Sequence, residues 1–424
     1  MGERPAAIHI DDLAEPRFPP EMQELFDGAS AMADAVELKA DAICARASAE
    51  TGLDDFGDDP GWFERLALIL RCLETEGSLS PMGRVTTSVQ YGQLVKNRLL
   101  ITDLLRRHPE IHEVEIARPI IIAGLPRTGT THLHNLLSAD PALRSLPYWE
   151  SLEPVLGADE AAAVAAGAPD PRLARTEAGT AFLDLAAPLF KRMHEMTVDH
   201  VHEEIQLLAI DVSSMLFETT APMPTWRDYF LGHDQTPHYE YLKTLLKVLQ
   251  WQRGGERWVL KSPQHLDQYQ AIRNVFPDAT VLVTHRDPVS VTASMSTMVA
   301  YTARLHRDPV DPVAIGHYWA DRLDRMLAAC QRDRELLPAD QSMDVHFDGF
   351  MADDMGTVAS IYERADQPFD ERAEQALLGY RATHPRGRYG GLIYDLADFE
   401  LDAGELRQRF ADYTWRFQVA EEPW

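Results

Sequence analysis

The chain has 424 residues, 45% apolar and 25% charged, the make-up of an ordinary globular protein with a large core. It carries 40 lysines and arginines against 67 aspartates and glutamates, a net charge of −27. That balance excludes a general binder of nucleic acid or anionic membrane, so any bound anion must be held by a few local cations and main-chain N–H groups.

The first stretch, MGERPAAIHIDDLAEPRF, lacks the apolar core of a signal peptide, and no apolar run is long enough to span a bilayer. Three cysteines, Cys44, Cys72 and Cys330, lie too far apart for a disulfide framework or a CxxC metal site, so a reducing cytoplasm is expected.

Residues 1–115 read as a helical extension. SAMADAVELKADAICARASAE has high helix propensity and no proline. Asp59 and Pro60 supply an N-cap and a first helical residue. Leu66, Ile69, Leu70 and Leu73 then fall on one face. A further helix runs through QYGQLVKNRLLITDLLRRHPE and ends at Pro109.

From 116 the texture changes. PIIIAGL (119–125), RWVLKSP (257–263) and ATVLVTHRDP (279–288) are short β-rich apolar runs, and SMDVHFDGF (342–350) is a weaker fourth. Helical patterns at about 130–138, 264–275, 288–299 and 311–336 alternate with them. The fold class expected is α/β: a P-loop-like parallel sheet flanked by helices over 116–424, with a helical insertion at 151–255. Ligands of such sheets bind at the C-terminal strand ends. In the insertion, Leu242, Leu245, Leu246 and Leu249 read as core. Trp226, Tyr229, Phe230, Tyr239 and Tyr241 fit either packing or an acceptor pocket.

Strand ends carry the chemistry. In GLPRTGTTHLHNLL a strand enters a glycine loop that enters a helix, which aims main-chain N–H groups at an anion. Gly124 and Gly129 admit the backbone, Thr128, Thr130 and Thr131 add hydroxyls, and Arg127 adds a fixed charge. A nucleotide-hydrolysing loop has lysine where Thr130 stands. With no metal-holding aspartate at a strand end either, a magnesium-dependent NTPase is disfavoured. In THRDPVSVTAS, Asp287 caps a helix opened by Pro288. Ser290 and Ser294 share a face near Arg286, a clamp for a second phosphate. HPRGRYGG is a cationic loop in an acidic chain, with Arg386 and Arg388 either side of Gly387.

These stretches, with LKSPQHL and FPDATVLVTHRDPVSVTAS, stand in order across most of 116–395. The sequence resembles the PAPS-dependent sulfotransferases, which use 3′-phosphoadenosine-5′-phosphosulfate, and within them the bacterial-type branch with a helical N-terminal extension. The resemblance implies that Arg127, Thr128, Gly129, Thr130 and Thr131 hold the 5′-phosphosulfate. It implies that Arg286 and Ser294 hold the 3′-phosphate, with Arg386, Gly387 and Arg388 in a loop closing over it. The tryptophan that often stands in the cytosolic branch at His132 is missing, which leaves the adenine-stacking partner unassigned.

Sulfuryl transfer is an in-line attack through a loose transition state, with charge growing on the leaving oxygen. Arg127 and Lys261 are the candidates to stabilise that oxygen. Two candidates exist for the base. Glu150 resembles a catalytic glutamate of related branches and needs burial to raise its pKa; His265 lies near the cytosolic branch's histidine and needs less tuning. The glutamate is preferred.

The run HEMTVDHVHEE (194–204) is not HExxH, because Val198 takes the second histidine's place. It reads as a polar wall of the acceptor pocket or a solvated helix rather than a metal site, and no metal is expected. The reaction expected is metal-independent transfer from PAPS to a hydroxyl or amine of a small-molecule, lipid or carbohydrate acceptor. The competing readings are an ATP-using P-loop kinase and a non-catalytic nucleotide-binding module.

Overall fold

The computed structural model describes residues 5–423; the first four residues of the expected extension, and Trp424, lie outside them. A two-residue strand, Ile8–His9 (β1), precedes four helices: Met22–Ala33 (α1), Ala40–Thr51 (α2), Trp62–Glu76 (α3) and Pro81–Arg107 (α4). The helical stretch at 30–50 is split in two. Lys39 is extended, Leu38 is buried, and the Val36 carbonyl accepts from Arg84 at 3.0 Å. These tertiary contacts override local propensity. α3 starts at Trp62 rather than at Pro60; the Asp59 carboxylate accepts from Gly61 N–H at 2.8 Å in the turn before it. α4 starts well before the expected QYGQ, where Ser80 accepts from Gly83 N–H at 3.0 Å and Pro81 takes the first turn.

All four apolar runs become strands: Ile120–Gly124 (β2), Val259–Ser262 (β3), Thr280–His285 (β4) and Ser342–His346 (β5). They form one parallel sheet in the order β3-β2-β4-β5. β2, β3 and β4 are buried along their whole length, which explains their unbroken apolar character. Alternation still sorts their side chains. Ile121 and Leu260 join the large apolar cluster on one face, and Ile120, Ile122 and Leu282 join a second on the other. The large cluster also contains Leu66, Ile69, Leu70 and Leu73 of α3, so the extension shares its core with the sheet.

Between β2 and β3 lie Thr130–Ser138 (α5), Tyr148–Leu152 (α6), Ala158–Ala165 (α7), Pro171–Ala186 (α8), Ile205–Ile210 (α9), Pro224–Leu231 (α10) and Thr236–Arg253 (α11). This stretch is mainly helical, and Leu242, Leu245, Leu246 and Leu249 are fully buried. Trp226, Phe230 and Tyr239 are buried too, so these aromatics pack the core instead of opening to a pocket. The run at 194–204 is not a helix but an irregular segment, pinned where Val201 bridges Pro147.

Tyr269–Val275 (α12), Pro288–Ala303 (α13) and Pro312–Asp333 (α14) follow the strands, and Asp287 caps α13 by accepting from Val289 N–H at 2.9 Å. The C-terminal part adds Phe347–Ala352 (α15), Asp354–Ala365 (α16), Glu371–Thr383 (α17), a short strand Leu392–Ile393 (β6) paired with β1, Ala403–Arg409 (α18) and Ala411–Arg416 (α19). No helix among the described residues is long and apolar enough to cross a membrane.

Candidate active site

The chain leaves β2 for α5 and returns to strands on either side of it, which makes the β2–β4 edge a switch point where ligands bind. There the phosphate loop is built by close approach. A Cβ at Gly124 would lie 1.8 Å from Thr284 Oγ1 of β4, so no other residue fits. Arg127 and Gly129 both adopt left-handed conformations, φ 69 and 83, and Gly129 leads directly into α5. Thr128 is buried; its hydroxyl donates to Leu125 O at 2.7 Å and meets Thr284 Oγ1 at 2.7 Å, bracing the loop. Thr130 and Thr131, at the start of α5, border a cavity of about 190 Å³ together with Arg127 and Arg286.

The two expected phosphate positions meet here. Arg127 Nε donates to Ser294 Oγ at 3.0 Å, and its Nη1 to Met193 O at 2.6 Å. Arg286 Nη1 donates to Arg127 O at 2.8 Å, and its guanidinium lies 4.1 Å from the centre of the Phe347 ring. The other face of Arg286 grips the Glu422 carboxylate at 2.6 and 2.8 Å. Glu422 is itself held, its N–H donating to Asp287 Oδ2 at 2.8 Å and its carbonyl accepting from Arg407 at 3.1 Å. The chain's own C-terminal tail therefore places an anion on Arg286. Nothing in the sequence marks this contact, which joins residues 136 positions apart.

The basic loop faces the same cleft. Arg386, Gly387 and Arg388 border a larger cavity of about 570 Å³ with Thr131, His132 and His200; both cavities touch Thr131 and Met193. Arg386 packs on Met351 of α15, four residues along from the Phe347 that carries Arg286. Arg388 pairs with Glu195, to which Tyr389 Oη also donates at 2.6 Å. His132 contacts Asp354 at 3.1 Å and lies tilted over Phe350, and burial lowers its pKa.

Lys261 sits at the C-terminal end of β3, buried, with Nζ against the Glu203 carboxylate. Its N–H donates to Glu204 Oε2 at 2.8 Å. Glu204 is fully buried, which pushes its carboxyl well above the usual range. His265 is enclosed behind them. Its Nδ1 meets Tyr239 Oη at 2.8 Å, its Nε2 meets Glu204 at 3.3 Å, and burial pushes its pKa down to about 3. Both ring nitrogens are engaged; the ring, like Lys261 and Glu203, lies behind the residues that border the two cavities, and unlike Glu203 it is fully buried.

Glu150 is not brought to this cleft. It is 1% exposed and lies between Arg144, at 3.1 Å, and Arg253, at 3.2 Å. Arg144 bridges Trp258, just before β3 begins, which sets the trio at the opposite end of the strand from Lys261. The groups that sequence reasoning did not single out, Glu203 and the histidines around it, belong to the HEMTVDHVHEE run, whose reading as a wall of the cleft agrees with His200 bordering the larger cavity.

Residues 119–371 match the sequence profile of the sulfotransferase family. The fold is similar to that of sulfotransferase STF1 from Mycobacterium tuberculosis, with 30% identity over 88% of this chain and 98% of that one, at a TM-score of 0.76. It is also similar to sulfotransferase STF9 from Mycobacterium avium, with 28% identity over 92% of this chain and 99% of that one, at a TM-score of 0.80. No curated protein matches the sequence. A glycine loop at the switch point, two arginines linked through it, and a family profile that covers the whole sheet lead to one conclusion: the chain belongs to the sulfotransferase family and is an enzyme of sulfuryl transfer.

Proposed function

We propose that the sulfuryl donor is 3′-phosphoadenosine-5′-phosphosulfate and that the acceptor presents a hydroxyl or amine in the larger cavity. The observation that carries this reading is the continuous chain Ser294–Arg127–Arg286, which joins the glycine loop to a second anion seat. Arg127, Gly129, Thr130 and Thr131 take the 5′-phosphosulfate at the N-terminus of α5. Arg286 and Ser294 take the 3′-phosphate once Glu422 yields, and Arg386 and Arg388 close from the far side of α15. The donor phosphates need no divalent ion at the loop, because fixed cations and main-chain amides supply the charge.

Lys261 and Arg127 stabilise the leaving oxygen as charge grows there. Glu203, in contact with Lys261, takes the acceptor proton in place of Glu150, which lies at the other end of β3. The larger cavity is lined by Lys191, Glu195, Asp199 and Arg388 as well as histidines, which favours a polar acceptor such as a carbohydrate over a lipid chain.

Calorimetric titration with the bisphosphate product and with AMP tests the donor; equal affinities would remove the second phosphate seat. A mass-spectrometric screen of labelled donor against acceptor libraries tests the transfer. Activity that instead needs ATP and vanishes with EDTA would favour a kinase.

A further inference from the structure

Three imidazoles, those of His194, His200 and His202, converge beside the cleft, and no role in the transfer is given to them above. One nitrogen from each lies within 4.8 Å of the others. A tetrahedral zinc ion with Zn–N bonds of about 2.0–2.1 Å needs its nitrogens roughly 3.3 Å apart. His202 Nδ1 stands 3.1 Å from His200 Nε2, so these two rings already meet at the centre of the group.

The scaffold is fixed by backbone contacts. His202 N–H donates to Leu146 O at 2.7 Å, Tyr148 N–H to His200 O at 3.0 Å, and His194 N–H to Phe190 O at 2.8 Å. Next to His194, the Met193 carbonyl is held by Arg127. His200 Nδ1 faces Thr197 O at 3.2 Å. A proton on Nδ1 satisfies that carbonyl and leaves Nε2 as a lone pair facing the group, the outer-shell arrangement that orients a ligating imidazole. Without an ion, His202 Nδ1 donates to that lone pair and His202 Nε2 is left an acceptor; an ion would take the His200 lone pair in exchange for this hydrogen bond. His202 Nε2 is buried and has no hydrogen-bond partner among the described residues.

The surrounding charges balance. Lys261, Arg127 and Arg388 oppose a cation, while Glu203, Glu195 and Asp199 favour one. His200 borders the 570 Å³ cavity, which gives water or a cleft ligand access to a fourth position.

We propose that His194, His200 and His202 form a tridentate site for a divalent transition ion of the zinc class, with its fourth position open to the cleft. This departs from the metal-free expectation drawn from sequence. For this run that expectation rested on the absence of any usual zinc-ligand spacing, HExxH included, and spacing along the chain does not describe how an irregular segment gathers its rings. Three imidazoles suit borderline ions such as zinc or cobalt and discriminate against magnesium and calcium, which take oxygen ligands. The site stands independently of the donor and acceptor, since metal uptake is read with neither present.

The test uses tag-free full-length protein, stripped by chelator and titrated with Zn²⁺ and separately with Co²⁺. The expected result is uptake of one equivalent, with the intense visible absorption of low-coordinate cobalt. His200→Ala and His202→Ala should each weaken uptake by more than the roughly 10–100-fold that losing an outer-shell partner costs. His384→Ala, outside the trio, should leave it unchanged. Near-UV circular dichroism checks that the variants fold; if one does not, the wild-type cobalt spectrum still decides. Failure of wild-type protein to take up either ion, a weak six-coordinate cobalt spectrum, or uptake that survives both substitutions in folded protein would overturn the proposal and leave a water-filled polar pocket.

Discussion

Arg127 Nε stands 3.0 Å from Ser294 Oγ, joining the loop after β2 to the helix after β4. One guanidinium thus reaches both expected phosphate positions, and its loss should be felt at both. Arg127→Ala is expected to weaken binding of AMP and of 3′,5′-bisphosphoadenosine alike, by about 10–100-fold, the worth of a charge-assisted hydrogen bond or two. Ser294→Ala should weaken the bisphosphate alone. Titration calorimetry on the two ligands checks both statements.

Arg286 and Glu422 lead to a paired prediction. Arg286→Ala should cost far more affinity for the bisphosphate than for AMP. Glu422→Gln removes the carboxylate that a 3′-phosphate seated on Arg286 would have to displace, and the bisphosphate should then bind about 10-fold tighter, with AMP unchanged. Equal affinity in the Glu422 variant would show that the tail does not compete for the arginine.

Glu150 and Glu203 should separate stability from turnover. Glu150→Gln leaves buried Arg144 short of its partner, and breaking a buried pair costs about 3–5 kcal/mol. Turnover per folded molecule should hold. Glu203→Gln should instead lower turnover by about 100-fold or more, the usual contribution of a positioned base, with ligand binding intact. Urea unfolding and single-turnover assays on both variants distinguish the two roles.

Gly124→Ala would set a methyl 1.8 Å from Thr284 Oγ1. Overpacking of this kind costs about 1–3 kcal/mol or more and would push β4 from β2 just where the loop begins. Lower thermal stability and loss of nucleotide binding are expected together, and Thr284→Ala in the same chain should recover part of both.

Acid should unfold the enzyme early. Burial lowers His265 to about 3 and His134 well below its usual value, so the folded state resists protons that the unfolded chain binds near pH 6.5. Stability is fully present above that pH and falls as the medium is acidified toward the folded-state values. The His265 ring contributes a loss of about 2 kcal/mol between pH 7 and pH 5, and His134 acts in the same direction. Denaturant midpoints across that range check the slope, and His265→Gln should flatten it.

Three of the strands could be read because burial on both faces writes itself as continuous apolar runs, and β5, partly exposed, gave the weaker signal. The glycine loop could be read because its backbone tolerates few other residues. Arg127 and Arg286 were picked out because they lie just past strand ends, and Ser294, in the second turn of α13, because the resemblance pairs it with Arg286. Glu150 looked alike in sequence yet stands at the wrong end of β3, because a helix of the insertion can approach either end of a strand and no local pattern says which. The histidine cluster was visible as composition but not as geometry: it depends on a bend pinned by Leu146 and Tyr148. Glu422 was illegible for the same reason, a contact made by chain folding alone.

β1 pairs in parallel with β6, immediately beyond the basic loop, and Arg192 donates to both Ala6 O and Gly391 O. The basic loop at the rim of the cleft is therefore moored to residues 6–9. Trimming those residues should loosen the basic loop more than three hundred and fifty positions away, and weaken binding of 3′,5′-bisphosphoadenosine while the central sheet stays whole.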